Sequence, residues 1–151
     1  MALTDEVIRE QLEGIVPELK HCKLLGIRIR DAGIGRLILE LPYSEAIIGN
    51  PETGVIHGGV LTTLMDTACG FASVAALTEP SLCPTLDLRI DYMKPAEPGR
   101  VVLGDAEAYR VTSTVVFARG VAYHEGEKND PIAHCTASFM RLDPQLSKTK
   151  A

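Results

Sequence analysis

The chain has 151 residues, of which 46% are hydrophobic and 23% charged, and its 15 Lys and Arg against 20 Asp and Glu give a net charge of −5. That length suits one domain, residues 1–151, whose core needs neither disulfide nor metal to be stable. The acidic balance excludes a broad basic field for nucleic acid or an anionic membrane, so an anionic ligand has to be met by local donors.

Asp5 and Glu6 come early in a segment with no apolar run and no small-residue cleavage site, which speaks against a signal peptide. Ile8, Leu12, Ile15 and Leu19 recur at helical spacing behind a Thr4 cap and predict an N-terminal amphipathic helix over about 4–20, with Pro17 near its end. Leu25 to Asp31 and Arg36 to Pro42 are short apolar-rich runs around Asp31-Ala-Gly-Ile-Gly35 and predict a hairpin. Residues 43–56 form a loop with Asn50-Pro51 and Gly54. A helix follows from about Gly58 to Leu77, stopping before Glu79-Pro80.

The pattern then changes to period two. Leu86, Leu88, Ile90 and Tyr92 alternate with Asp87, Arg89 and Asp91, the mark of a strand with one dry face and one wet. Three more strands are predicted near Arg100 to Arg110, Thr114 to His124 and Pro131 to Leu142, before a polar tail at about 145–151 that should fray. A helix as apolar as Val60 to Leu77 needs cover on most sides, so the expected fold class is α+β, with a six-stranded antiparallel sheet wrapped around a long central helix. That helix carries Asp66 and small polar residues, which argues against a membrane span. Cys22, Cys69, Cys83 and Cys135 show no CxxC spacing and read as reduced thiols, consistent with a cytoplasmic protein. His21, His124 and His134 show no ligand-like grouping, so no metal site and no cofactor are expected.

The chemistry concentrates between Asn50 and Asp66. His57-Gly58-Gly59 opens the long helix with amides that no side chain covers, at the positive end of the helix dipole, which makes an oxyanion receptor. Alternatively, the glycines only let the helix pack closely on a strand. Asp66, alone among aliphatic residues, is costly there unless it is used or bonded to a hydroxyl such as Thr62, Thr63 or Thr67. It lies on the face of Gly59 but about 10 Å further along the axis. One chain cannot bring both to one carbonyl, so a second, antiparallel copy must supply the acid, which implies a homodimer with two equivalent shared sites. His57 suits a loop-fixing hydrogen bond better than proton transfer. Lys94 and Arg100 are candidates to meet phosphates near strand ends, though each taken singly is better explained as a cation on a solvated sheet face.

With Asn50, Gly54, His57-Gly58-Gly59, Asp66 and Thr85 in hand, the chain resembles the hot-dog-fold acyl-CoA thioesterases of the phenylacetate-pathway (PaaI) and human thioesterase superfamily member 2 type, over roughly residues 20–142. The resemblance implies coenzyme A thioesters as substrates, with coenzyme A entering only as part of the substrate. It implies sites at a dimer interface and dimers paired into tetramers. By position, the Gly58 amide, with Gly59, would polarise the thioester carbonyl, His57 would hold the loop, and Asp66 would be base or nucleophile. Asn50 would offer its amide to a carbonyl or water, although Asn-Pro is also an ordinary turn opener. Thr85 would place the water, and since alternation puts it on the wet side with Asp87, a bulge or its place at the strand start has to aim it inward. Other readings on the same fold are a hydroxyacyl or enoyl-thioester dehydratase, which the glycine doublet after His57 disfavours, and a non-catalytic acyl-CoA-binding module. Phe71, Leu64 and Tyr43 are expected to wall the acyl pocket.

Overall fold

The structure, a computed structural model, describes residues 3–79 and 81–142; the tail at 145–151 lies outside them. The N-terminal helix is shorter than its apolar spacing predicts. Thr4 caps α1 (Asp5–Glu13) by accepting the Val7 N–H at 3.3 Å, and Ile8 and Leu12 are buried. The chain then turns through a 3-10 segment at Val16–Glu18, where Pro17 cannot continue the i to i−4 pattern, and resumes as α2 (Lys20–Leu25). Ile15 and Leu19 therefore leave the buried face and are 48% and 38% exposed.

The hairpin β1 (Arg28–Gly33) and β2 (Arg36–Leu41) precedes the loop that leads to the long helix α3 (Gly58–Ala75). After it come β3 (Thr85–Tyr92), β4 (Val102–Val111), β5 (Val115–His124) and β6 (Ala133–Met140). The six strands form one antiparallel sheet in the order β1-β2-β4-β5-β6-β3. Its inner face lies against α3 and presents Leu37, Leu39 and Leu41 from β2, Val102 and Ala106 from β4, Ala118 and Ala122 from β5, and Ala137 and Phe139 from β6. The helix answers with Leu61, Leu64, Met65, Ala68 and Ala72. Small residues set how closely the two layers meet: a Cβ on Gly104 would sit 2.8 Å from Leu64 Cγ, inside any real contact. This is the hot-dog arrangement, a sheet curled around one central helix.

All four cysteines are free, and the Cys69 and Cys135 sulfurs lie 3.4 Å apart in the core. Their hydrogen bond, together with burial, pushes the Cys69 thiol up, so it stays protonated. Among the described residues no helix is long and apolar enough to cross a membrane.

β3 departs from its predicted half-buried pattern. It is one of the two edge strands, with β1 at the other end of the sheet, and only Leu88 and Ile90 are even partly covered, while Leu86 and Tyr92 are each 51% exposed. The dry face read from the sequence is real in composition but is not closed by this chain.

Candidate active site

The loop before α3 is built to hold the helix entrance. Asn50 Oδ1 accepts the Glu52 N–H at 3.0 Å, and the Asn50 carbonyl accepts from Thr53 and Gly54, so its side chain opens a tight turn. Tyr43 Oη–H donates to the Gly54 carbonyl at 2.7 Å, and the His57 N–H donates to the Ile47 carbonyl at 2.9 Å. Gly49 lets these two stretches touch, since a Cβ there would stand 2.8 Å from His57 Cα.

At the entrance, His57 Nδ1 accepts the Gly59 N–H at 2.9 Å and caps the helix. The Gly59 amide is therefore engaged, and of the two bare amides expected from the glycine pair, Gly58 N–H is the one with no acceptor among the described residues. Close packing does not explain Gly58: a Cβ there would meet Tyr92 at an ordinary 3.6 Å. At Gly59 a Cβ would press on the His57 ring at 3.0 Å and displace the cap.

Asp66 sits two turns further along α3, about 12 Å from Gly58 along the axis. Thr85 Oγ1 donates to its Oδ1 at 2.8 Å. The inward aim of Thr85 comes from a register shift between Thr85 and Asp87 in the pairing of β3 with β6. The helix hydroxyls that could have satisfied Asp66 all turn back to backbone one turn earlier: Thr62 to the Gly58 carbonyl, Thr63 to Gly59 and Thr67 to Thr63. Asp66 and Thr85 open on a pocket of about 360 Å³ walled by Phe71, Val74, Leu82, Phe139 and Leu142. Phe71 is thus a wall residue as expected. Leu64 is not, being fully buried in the core, and Tyr43 belongs to the loop before the helix. A larger depression of about 760 Å³ on the outer face of the sheet is lined by Asp105, Glu107, Arg119 and Lys128, does not include Asp66 or Thr85, and is filled with charges that pair with one another.

Lys94 and Arg100 lie together but not bare. Lys94 Nζ is 2.5 Å from Asp130 and 3.5 Å from Glu127, and Arg100 pairs with Glu97 and Glu127 at 2.8 Å each. The Arg100 hydrogen bond, against a smaller opposing effect of burial, holds the Glu127 carboxyl below its ordinary value. Their loop packs beside the helix entrance, where the Ile56 N–H donates to the Ala96 carbonyl. Of the other histidines, His124 is buried and tied to loop backbone at both ring nitrogens, and His21 contacts Thr63 Oγ1 at 3.3 Å.

The sequence reading missed Tyr92 as part of this site. Its hydroxyl donates to the Gly58 carbonyl at 2.8 Å and lies 2.7 Å from Thr62 Oγ1. An aromatic residue with a polar tip at the end of an otherwise aliphatic strand face was the available signal.

A glycine-paired helix entrance, an acid in the middle of the helix and an apolar pocket on a sheet curled around it fit the class the sequence resembles, the thioesterases built on the hot-dog fold. The chain belongs to the thioesterase superfamily, whose family model matches residues 53–129, about half of its length. It is 39% identical over 110 residues to a protein of Halobacterium salinarum that is named provisionally as an esterase, covering 71% of this chain and 72% of that one. It is 26% identical over 120 residues to human acyl-coenzyme A thioesterase 13, covering 78% and 82%. The Escherichia coli PaaI protein of the phenylacetic acid degradation operon superposes with a TM-score of 0.81 over 92% of this chain and 96% of its own; at 17% identity the two share the fold.

Proposed function

We propose that the protein hydrolyses acyl-CoA thioesters to the free acid and coenzyme A, with no cofactor, at two sites shared between the subunits of a homodimer. The observation that carries this reading is the separation of the two halves of the chemistry within one chain: Gly58 N–H at one end of α3, and Asp66 with Thr85 two turns away beside an apolar pocket.

The edge strand offers the way to close that gap. β3 begins at Thr85, bonded to Asp66, and ends at Tyr92, bonded to Gly58. Two copies of β3 paired antiparallel about a two-fold axis near Leu88 and Arg89 set Thr85 of one chain opposite Tyr92 of the other. Gly58 of one subunit then faces Asp66 of the partner subunit. Such pairing also covers the backbone edge of β3 that this chain leaves unpaired. The family resemblance extends this to dimers paired into tetramers.

In this arrangement Gly58 N–H receives the carbonyl oxygen as it becomes negative, an interaction worth about 3 kcal/mol at a preorganised site. Asp66, with one oxygen held by Thr85, has the other free to take a proton from water as the water adds to the acyl carbon. Collapse of the tetrahedral adduct breaks the C–S bond and expels coenzyme A as thiolate. If Asp66 instead adds directly and expels the thiolate, water cleaves the resulting anhydride; attack at the Asp66 carboxyl carbon leaves ¹⁸O on Asp66 after a single turnover in ¹⁸O-water, which the water-activation route never does. Among the described residues the pocket is lined mainly by apolar side chains and by no Lys or Arg, which favours an uncharged, apolar acyl group. Its volume, more than twice that of a cavity of about 150 Å³ that holds benzene, admits more than a single ring. Coenzyme A phosphates would compete with Glu127 for Lys94 and Arg100 at the rim.

The test is release of free thiol from a panel of acyl-CoAs. Asp66→Asn, which keeps an oxygen for Thr85 to bond, should lower turnover by about a hundredfold or more with the fold intact. Unaltered turnover in that variant removes Asp66 from the mechanism. Hydration of an enoyl-CoA without thiol release would instead make the protein a dehydratase, and tight binding without turnover a binding module.

A further inference from the structure

We infer that Tyr92 is a positioning residue for the oxyanion donor: by fixing the Gly58–Gly59 peptide it holds Gly58 N–H on the line along which the thioester carbonyl arrives. The inference rests on the hydrolase reading and concerns the entrance of α3. The Gly58 carbonyl and the Gly59 N–H are opposite edges of one planar peptide unit. The carbonyl edge is held by Tyr92 Oη–H at 2.8 Å; Thr62 Oγ1 lies 3.2 Å from the same carbonyl and 2.7 Å from Tyr92 Oη, so its single proton is shared between the two. The amide edge is held by His57 Nδ1 at 2.9 Å. The preceding unit, which carries Gly58 N–H, is fixed at its own carbonyl by Val60 N–H at 3.0 Å.

These anchors compensate for a weakness of the site. Two consecutive glycines are the most freely rotating joint a chain can have, and a donor mounted on such a joint would be poorly preorganised. An unanchored helix start frays, so the donor that catalysis needs to be still would sit on the part of the helix that is naturally loosest. Tyr92 comes from 34 residues away on the edge strand and so ties the helix start to the sheet. Its ring stands 3.6 Å from where a Gly58 Cβ would lie and so covers the Cβ side of the glycine.

The test uses Tyr92→Phe, which keeps the ring against Gly58 and removes only the hydroxyl. Expected are a kcat lowered about tenfold or more with KM within about twofold, since misplacement of a transition-state contact is felt in the chemical step. A coenzyme A trifluoromethyl ketone, whose hydrate carries the tetrahedral oxyanion, should bind more weakly by the same factor as kcat falls, while a thioether ground-state mimic binds unchanged. The melting temperature should drop by no more than about 5 °C, and exchange of the Gly59 amide in the unliganded protein should quicken. Tyr92→Leu, which also removes the ring's edge, must not recover kcat. Unchanged kcat, or equal weakening of the ketone and thioether complexes, overturns the inference. Should the wild-type protein release no thiol from any acyl-CoA, the hydrolase reading falls by itself. Gly59 exchange then judges the anchor alone, where a faster rate in the variant supports it and an equal rate overturns it.

Discussion

In the proposed mechanism Asp66 and Thr85 act as a unit: the Thr85 hydroxyl donates to one carboxylate oxygen, and among the described residues the other accepts no hydrogen bond. Thr85→Ser preserves that donor, so it should keep turnover within about threefold, whereas Thr85→Ala should lose about tenfold, consistent with the loss of one charge-assisted hydrogen bond. Steady-state thiol release from both variants checks the pair, and equal activity of Ala and wild type would remove Thr85 from the site. Asp66 was legible from sequence because a lone acid in an aliphatic helix stands out on energetic grounds. Thr85 was legible only through the family pattern, since strand alternation pointed it to the wet face and the register shift that turns it inward leaves no mark in composition. Lys94 and Arg100 show the converse. Their charge is visible in the sequence, but Glu97, Glu127 and Asp130, which pair with them, are brought there by loops no periodicity describes.

The elements were largely legible because each carries one unbroken period. The apolar run from Gly58 marked α3, the alternation from Leu86 to Tyr92 marked β3, and the turn-rich pieces between strands delimited β4 to β6 to within a few residues. The N-terminal helix was overextended because Ile15 and Leu19 keep helical spacing past the point where Pro17 ends the hydrogen bonding. Contacts that join elements were not legible, and His124 at the end of β5 is an example. One ring nitrogen, Nδ1, donates to the Val101 carbonyl and Nε2 accepts the Glu97 N–H, both at 2.9 Å, so a fully buried side chain holds the loop between β3 and β4. His124→Ala strands both backbone groups and leaves a cavity, and should cost about 2–4 kcal/mol by denaturant unfolding. His124→Asn, which can restore at most part of the pairing, should fall between the variant and wild type. A loss below about 0.5 kcal/mol for the alanine variant would show that water replaces the ring without penalty.

Across the whole molecule, ion pairs tie separate parts of the chain together and set its acid limit. The Asp5 carboxyl is held below its ordinary 3.8 by the Ile34 N–H and by Arg36, joining α1 to the β1–β2 turn. At Glu40 burial alone would raise the carboxyl, but the hydrogen bonds of Arg30 and Arg28 and their charges outweigh it, so it too lies below its ordinary 4.5. With Glu127 also depressed below 4.5, every one of these shifts has the same sign. Groups depressed in the folded state contribute stability that is present above their ordinary values and is lost as pH falls through 4.5 and 3.8 toward the folded values. Melting temperature should therefore be level above about pH 5.5 and decline below about 4.5, with a shallower decline in high salt because the pairs of Asp5 and Glu127 are open to solvent, while that of the more covered Glu40 is screened less. A decline already complete at pH 6 would require a group other than these carboxylates.

The shared site is the claim that depends on the molecule as an assembly. If Gly58 and Asp66 act from different subunits, an Asp66→Asn chain still offers a good helix entrance, and a Gly58→Pro chain, which has no N–H at that position, still offers a good acid. Neither homodimer should turn over. Mixed and allowed to exchange, half of the dimers become heterodimers, and each of these holds one site in which both residues are native and one in which both are altered. Activity should then return to about a quarter of wild type, the fraction set by random pairing. Exchange is verified independently by native mass spectrometry of chains of different mass. No recovery in a verified mixture would place both halves of the chemistry in one subunit, which the separation of about 12 Å along α3 does not permit without unwinding the helix. Recovery near one quarter would support the antiparallel pairing of β3 proposed above, which sets Thr85 of one chain opposite Tyr92 of the other.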